Sequence, residues 1–253
     1  MNILEKILNV KRQEIQQIKD FEFGEMTGQN RSLKDALSKP GISIIAEIKM
    51  KSPSEGEIFP SADPAQIAKG YESAGAAAIF VLTDQSFFGG SLDILKAVRD
   101  AVSIPVIRKD FIIDQKQISE TIHYNGDAFL LIADALDQDS LYQLMNIGKK
   151  TELEFLVEYH AEKHAEFIIA LNPEIVGINC RNLKTMATDI TYFEKMISSL
   201  PSNSVKVAES GIHTSDDLEY VSDLGYDAAL IGTSLMKTGN PEKALETLLG
   251  ELS

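Results

Sequence analysis

Ionisable side chains in this chain gather at one recurring place, the far end of a short apolar run. The run IIAEIKMKSPS, residues 44–54, passes from apolar residues to Glu47, Lys49 and Lys51 before breaking at Ser52-Pro53-Ser54. Period-2 geometry sends Ile45, Glu47 and Lys49 to one strand face and Ile44, Ala46 and Ile48 to the other. Other apolar runs close in Arg108-Lys109-Asp110-Phe111, in Glu158, in Asn179-Cys180-Arg181 and in Glu209-Ser210. Ionisable and amide groups gathered at the ends of so many runs point to a site rather than to chance, since buried charges must be paired. Taken alone, residues 44–54 also read as a solvated edge strand whose charges guard against aggregation.

A second kind of chemistry is written in small residues. Ser210-Gly211 and Gly232-Thr233-Ser234 follow two late apolar runs. Glycine lets backbone N–H groups approach a phosphate, and a helix starting at Thr233 would point its dipole there. Lys51 and Ser52 could cap the same phosphate. Three further features read as structural. His160 and His164 stand four apart, a metal-compatible spacing without a third ligand, and are expected on a surface helix. Cys180 has no histidine placed to activate it and is expected to pack. Asp216-Asp217 suits the first turn of a helix.

The elements that must position these groups alternate. From residue 42 onward a short strand-like run and a longer amphipathic helical segment follow each other eight times, with strands expected at 44–49, 77–82, 104–108, 128–132, 154–158, 175–179, 205–209 and 228–231. Helical segments such as 64–74, 92–102 and 215–224 start near Asp, Ser or Thr, and Gly75, Gly126 and Gly225 each precede a strand. Eight βα units close a parallel barrel, whereas a doubly wound sheet needs a glycine-rich first turn. Gly89-Gly90 lacks the third glycine and reads as a turn. The expected fold is therefore a (β/α)8 TIM barrel, a single domain over residues 1–253. Residues 1–41 form a helical N-terminal extension, with Leu4, Leu8, Ile15 and Ile18 on one helix and Leu33, Ala36 and Leu37 on a second that ends at Pro40-Gly41. In such a barrel the active site lies at the C-terminal strand ends, where these ionisable groups fall. A closed barrel has no edge, so the edge-strand reading of residues 44–54 lapses.

Lys plus Arg number 24 and Asp plus Glu 38, a formal net charge of -14. That surface repels phosphate backbones and anionic lipid, so neither nucleic acid nor a membrane is an expected partner, and an anionic substrate needs local lysines. A lone cysteine fits a reducing compartment, and charge interrupts the N-terminal apolar residues, so a cytoplasmic, monomeric protein is expected.

The pieces AEIKMKSPS, LTDQSFFGGS, IRKDFI, VGINCRNL, AESGI and IGTSLM, in that order over essentially the full length, resemble indole-3-glycerol-phosphate synthase. The resemblance implies closure of 1-(2-carboxyphenylamino)-1-deoxyribulose 5-phosphate to an indole with loss of carbon dioxide and water, using no metal or organic cofactor. It implies catalytic positions at Glu47, Lys49, Lys109, Glu158, Asn179 and Ser210. Lys109 resembles the general acid at the substrate carbonyl, and burial with neighbouring cations is expected to lower its pKa toward neutrality. Glu158 resembles the dehydration base, Glu47 the group orienting the lysines, and Lys49 the holder of the carboxylate that is lost. Asn179 and Arg181 would hold hydroxyls and carboxylate, and Glu209 and Ser210 the ribulose chain. The phosphate would lie on Ser52, Gly211, Gly232, Thr233 and Ser234, with Lys51 nearby. Phe88, Phe111 and Leu131 would wall the aryl ring. Cys180 occupies a variable slot, and Thr233 replaces a frequent serine while keeping the hydroxyl. The loop 52–63 is long enough for a lid. Two rival readings are a sister phosphate-binding barrel such as phosphoribosylanthranilate isomerase, which would use Cys or Asp at the strand ends, and a non-catalytic barrel that only binds a phosphorylated metabolite.

Overall fold

A computed structural model of the chain describes residues 2–19, 30–53, 55–59, 62–151, 153–182 and 187–252. Its strands in chain order are β1 (Ser43–Ile48), β2 (Lys51–Ser52), β3 (Gly56–Glu57), β4 (Ala78–Leu82), β5 (Val106–Lys109), β6 (Ala128–Ile132), β7 (Glu154–Tyr159), β8 (Ile175–Asn179), β9 (Val205–Glu209) and β10 (Ala228–Ile231). Its α-helices are α1 (Ile3–Ile15), α2 (Leu33–Leu37), α3 (Pro64–Ser73), α4 (Gln85–Phe88), α5 (Leu92–Ala101), α6 (Gln115–His123), α7 (Gln138–Lys150), α8 (Ala165–Leu171), α9 (Tyr192–Met196), α10 (Ser215–Asp223), α11 (Thr233–Met236) and α12 (Pro241–Gly250). Eight parallel strands close into a barrel in the order β1-β10-β9-β8-β7-β6-β5-β4, so the (β/α)8 architecture is as expected.

Local chemistry explains most boundaries. The Asp63 side chain accepts from Ala65 N at 2.9 Å, and Pro64, which has no N–H to satisfy, opens α3. Ser91 caps α5, and Asp114 and Thr214 build capping boxes on α6 and α10. The third barrel strand starts at Val106 rather than Ile104, because Pro105 offers only its carbonyl, which accepts from Ile79 N at 2.9 Å. Part of the expected lid folds as the antiparallel pair β2-β3, with Lys51 opposite Glu57; residues 54, 60 and 61 of that loop lie outside the described residues.

Alternation divides the core in two. Inward residues such as Ile45, Phe80, Ile107, Leu130, Leu156 and Val207 fill the barrel, while outward ones such as Ile44, Val81, Leu131 and Val176 pack under the helices. Burying each of these large side chains contributes about 1.5–3 kcal/mol. The extension belongs to both ends of the barrel. Leu33 and Leu37 of α2, fully buried, join the interior cluster, and Glu154 at the start of β7 accepts from Ser32 Oγ and Lys34 N, both at 2.9 Å. At the other end, α1 buries Ile7, Leu8 and Lys11. Among the described residues no helix is long and apolar enough to cross a membrane.

Candidate active site

The C-terminal strand ends surround a cavity, and the inward residues of several strands converge at its floor. Lys109, the last residue of β5, carries Nζ to 3.6 Å from Glu158 Oε2 on β7, 3.9 Å from Glu209 Oε2 on β9 and 3.9 Å from Glu47 Oε1 on β1. The same ammonium stands 4.9 Å from the centroid of the Phe80 ring. Lys49 Nζ donates to Glu47 Oε2 at 2.5 Å. Asn179 Nδ2 donates to Glu158 Oε1 at 2.9 Å, and Asn179 Oδ1 accepts from Arg181 N at 3.0 Å. Glu47, Glu158 and Glu209 are all buried, and barrel strands with inward carboxylates need space for them. Glycine supplies it: a Cβ at Gly177 would stand 2.1 Å from Glu209 Oε1, and one at Gly232 would stand 2.2 Å from Glu47 Oε2.

These contacts set the protonation states. Burial alone would lower the Lys109 pKa, but the carboxylates of Glu158, Glu209 and Glu47 outweigh it and hold the ammonium above the ordinary lysine range. This reverses the expected lowering, because carboxylates, not cations, face Nζ. Arg108, the cation next to it in sequence, turns outward by alternation to Gln117 O, Asp110 and Glu120. Burial would raise Glu47, but Lys49 and Lys109 overcome it and keep its carboxyl below the usual range. For Glu209, burial and then the neighbouring Glu158 push the carboxyl well above that range. The cluster therefore holds a committed acid, a committed anion and a carboxyl inclined to keep a proton.

Opposite this floor, Ser52, Gly211, Gly232, Thr233 and Ser234 line the cavity with small and hydroxyl-bearing groups. Ser210 and Gly211 both have positive φ, 70° and 72°. A serine in the left-handed region costs of order 1–3 kcal/mol, and such strain concentrates where geometry serves a ligand. Phe88 and Phe111 stand on one wall with centroids 6.3 Å apart, and Arg181 lies on the rim.

Most of the expected site residues thus share one cavity, and three do not line it. Leu131 faces outward into the helix layer; Ile132, paired in register with Glu158, lines the cavity in its place. Lys51 is exposed on β2 and does not line the cavity. Glu209 is buried beneath the cavity floor and reaches it through Lys109. The histidines depart from the expected surface helix. His160 follows β7 directly, bonded through Nδ1 to Asn179 O at 2.8 Å, and His164 is buried 3.5 Å from Asp134. Cys180 packs as expected, its thiol pushed up to about 11 by burial. Among the described residues no group of three or more His, Cys, Asp or Glu could hold a metal ion. Sequence reasoning missed Ile3, Leu4 and Ile7 of α1, which form part of the cavity wall. Their signal was there in the spacing of Ile3, Ile7 and Lys11, a helical stripe that ends on a charge.

The family model for indole-3-glycerol phosphate synthase matches residues 4–248. The chain belongs to the indole-3-glycerol phosphate synthase family. It is 43% identical over 251 residues to the indole-3-glycerol phosphate synthase of Halalkalibacterium halodurans, covering 98% of this chain and 97% of the relative. With that of Geobacillus sp. (strain WCH70) the identity is 44% over 253 residues, covering 99% and 98%. Among solved structures, N-acetylmannosamine-6-phosphate 2-epimerase from Clostridium perfringens superposes with a TM-score of 0.63 at 12% identity, covering 85% of this chain and 96% of that one. Thiamine phosphate pyrophosphorylase from Pyrococcus furiosus gives 0.61 at 14%, covering 87% and 96%. At such identities these two neighbours speak for the barrel fold alone, while membership of the indole-3-glycerol phosphate synthase family rests on the sequence matches.

Proposed function

We infer that the chain is an indole-3-glycerol-phosphate synthase, a carboxy-lyase of tryptophan biosynthesis. It closes 1-(2-carboxyphenylamino)-1-deoxyribulose 5-phosphate to indole-3-glycerol phosphate with loss of CO2 and water. The observation that carries the reading is the Lys109 ammonium held within 4 Å of carboxylates from three strands, in a cavity with aromatic residues on one side and glycine-hydroxyl turns on the other.

The ring carbon bearing the carboxylate attacks the ketone carbon, and Lys109 delivers its proton to the ketone oxygen as the bond forms. The surrounding carboxylates keep Lys109 protonated ahead of the reaction, while making its ammonium a weaker acid than a free lysine. Lys49, steadied by Glu47, holds the aryl carboxylate until CO2 leaves and its electron pair returns to the ring. The new hydroxyl then departs as water with a second proton, and Glu158, oriented by Asn179, takes a proton from the adjacent carbon. Two protons given and one taken leave one drawn from solvent, as loss of CO2 from a carboxylate requires. Asn179, Arg181 and Ser210 hold the substrate's polar groups, with Glu209 supporting Lys109 from below. Ser52, Gly211, Gly232, Thr233 and Ser234 hold its phosphate. Phe88 and Phe111 flank the ring. The cavity wall includes Ile3, Leu4 and Ile7 of α1, which supports the reading of the helical extension as part of the single barrel domain.

The test is to mix purified protein with the substrate and follow indole fluorescence; no signal from folded protein would sink the reading. Lys109→Met is expected to lower kcat by about 10³-fold or more, as loss of a general acid does, while inorganic phosphate still competes for the site. Substantial remaining turnover would remove Lys109 from its role.

A further inference from the structure

Lys11 lies one helical turn past Ile7 on α1, and at 2% exposure it is among the most buried charged residues described. A lysine so buried must be paired. Its Nζ stands 2.8 Å from Asp84 Oδ2, 2.9 Å from Asp110 Oδ1 and 2.8 Å from Glu14 Oε2. Two of these carboxylates also hold the aromatic wall. Asp84 caps α4, its Oδ1 accepting from Phe87 N at 2.7 Å and Phe88 N at 3.2 Å. Asp110 Oδ1 accepts from Phe111 N at 2.9 Å, and its Oδ2 from Thr83 Oγ1 at 2.6 Å and Arg108 Nη2 at 3.1 Å. One ammonium on α1 thus bridges the two carboxylates from which the Phe88 and Phe111 backbones hang, Arg108 giving Asp110 a second cation, while Ile3, Leu4 and Ile7 of the same helix wall the cavity.

We propose that Lys11 is a positioning residue for the aryl end of the substrate: it pins α1 across the barrel mouth and fixes the Phe88–Phe111 pair. Without its charge, the buried Asp84 loses the cation that links it to Asp110, and Asp110 keeps only Arg108, so the tie between the two aromatic walls and the helix above them is lost. The proton-transfer cluster around Lys109 makes none of these bonds, so binding suffers more than chemistry. The identity of the substrate is taken from the proposed function; the pinning of α1 is not.

In the full-length protein, Lys11→Met is expected to raise KM by about tenfold or more while kcat changes less than about threefold, the split that marks lost ground-state binding. Competition by inorganic phosphate stays as in the unsubstituted protein, and Lys11→Arg, which keeps the charge, restores KM to within about threefold. A folded Lys11→Met with unchanged KM overturns the proposal. If Lys11→Met does not fold, Asp84→Asn carries the same prediction, because its amide keeps the Oδ1 cap on α4 while losing the charge that meets Lys11. Hydrogen exchange supplies a readout free of turnover: α1 amides lose protection by about tenfold or more in the variant, and unchanged protection overturns the proposal. An unsubstituted protein inactive on the substrate would sink the proposed function, and the exchange result would still decide Lys11.

Discussion

Lys109 keeps its proton because three carboxylates face it, and Asp110, its neighbour in sequence, keeps its charge for the mirror reason. Burial would raise the Asp110 carboxyl, but Arg108 and Lys11 overcome it and hold the pKa at about 2. A carboxyl depressed from 3.8 to about 2 contributes about 2 kcal/mol of stability at 1.36 kcal/mol per unit. That stability is fully present above the unfolded pKa and lost as pH falls through about 4 to about 2. Urea unfolding across this window should show the unsubstituted protein losing about 2 kcal/mol more than Asp110→Asn; equal losses would remove Asp110 from the account. At this scale the sequence disclosed which residues end the strands, since each stands at the boundary of an apolar run. It did not disclose their partners. Arg108 adjoins Lys109 in sequence yet points the other way, and Leu131 turns into the helix layer where its neighbour Ile132 faces the cavity. Both follow from alternation once the register with Glu158 is known, and register is a property of two strands.

Among the elements, β1, β7 and β9 each bring a carboxylate inward, and β8 and the turn after β10 make room by having no side chain at Gly177 and Gly232. Gly232→Ala would drive a methyl group into the buried Glu47 side chain, 2.2 Å from Oε2 and 2.8 Å from its Cβ. We expect a loss of about 1–3 kcal/mol in stability, as overpacking a well-filled core costs, together with a lower kcat as Lys49 loses its fixed partner. Thermal unfolding and steady-state kinetics check both, and unaltered kcat would show that Glu47 tolerates displacement. The eight βα units were legible because strand and helix leave different hydrophobic periods, and caps such as Ser91 and Thr214 mark the helix starts. The extension was legible as helix but not as wall and plug. Leu33, Leu37 and Ile7 look the same whether a helix packs on a flank or on a barrel end, because periodicity records that a face is buried and not what buries it.

For the whole molecule, a net charge of -14 repels the dianionic phosphate of the substrate at long range, while Lys49, Lys109 and Arg181 act only within the mouth. Raising ionic strength from about 0.01 to 0.15 M shortens the screening length from about 30 to 8 Å. It should raise kcat/KM by about twofold, since the distant repulsion is screened more than the partly buried attraction. A fall in kcat/KM would show that the local cations dominate the approach. The extension adds a constraint of order in time. Leu33 and Leu37 need the inner faces of strands up to β10, Ser32 meets Glu154 across 122 residues of chain, and Lys11 waits for Asp84 and Asp110. During synthesis these residues leave the ribosome before the barrel strands they pack on, so their docking waits for partners made later. A nascent chain therefore carries its plug exposed for most of translation, and such long-range contacts are slow to form. The segment that finishes the active site is also the one that a chaperone would meet.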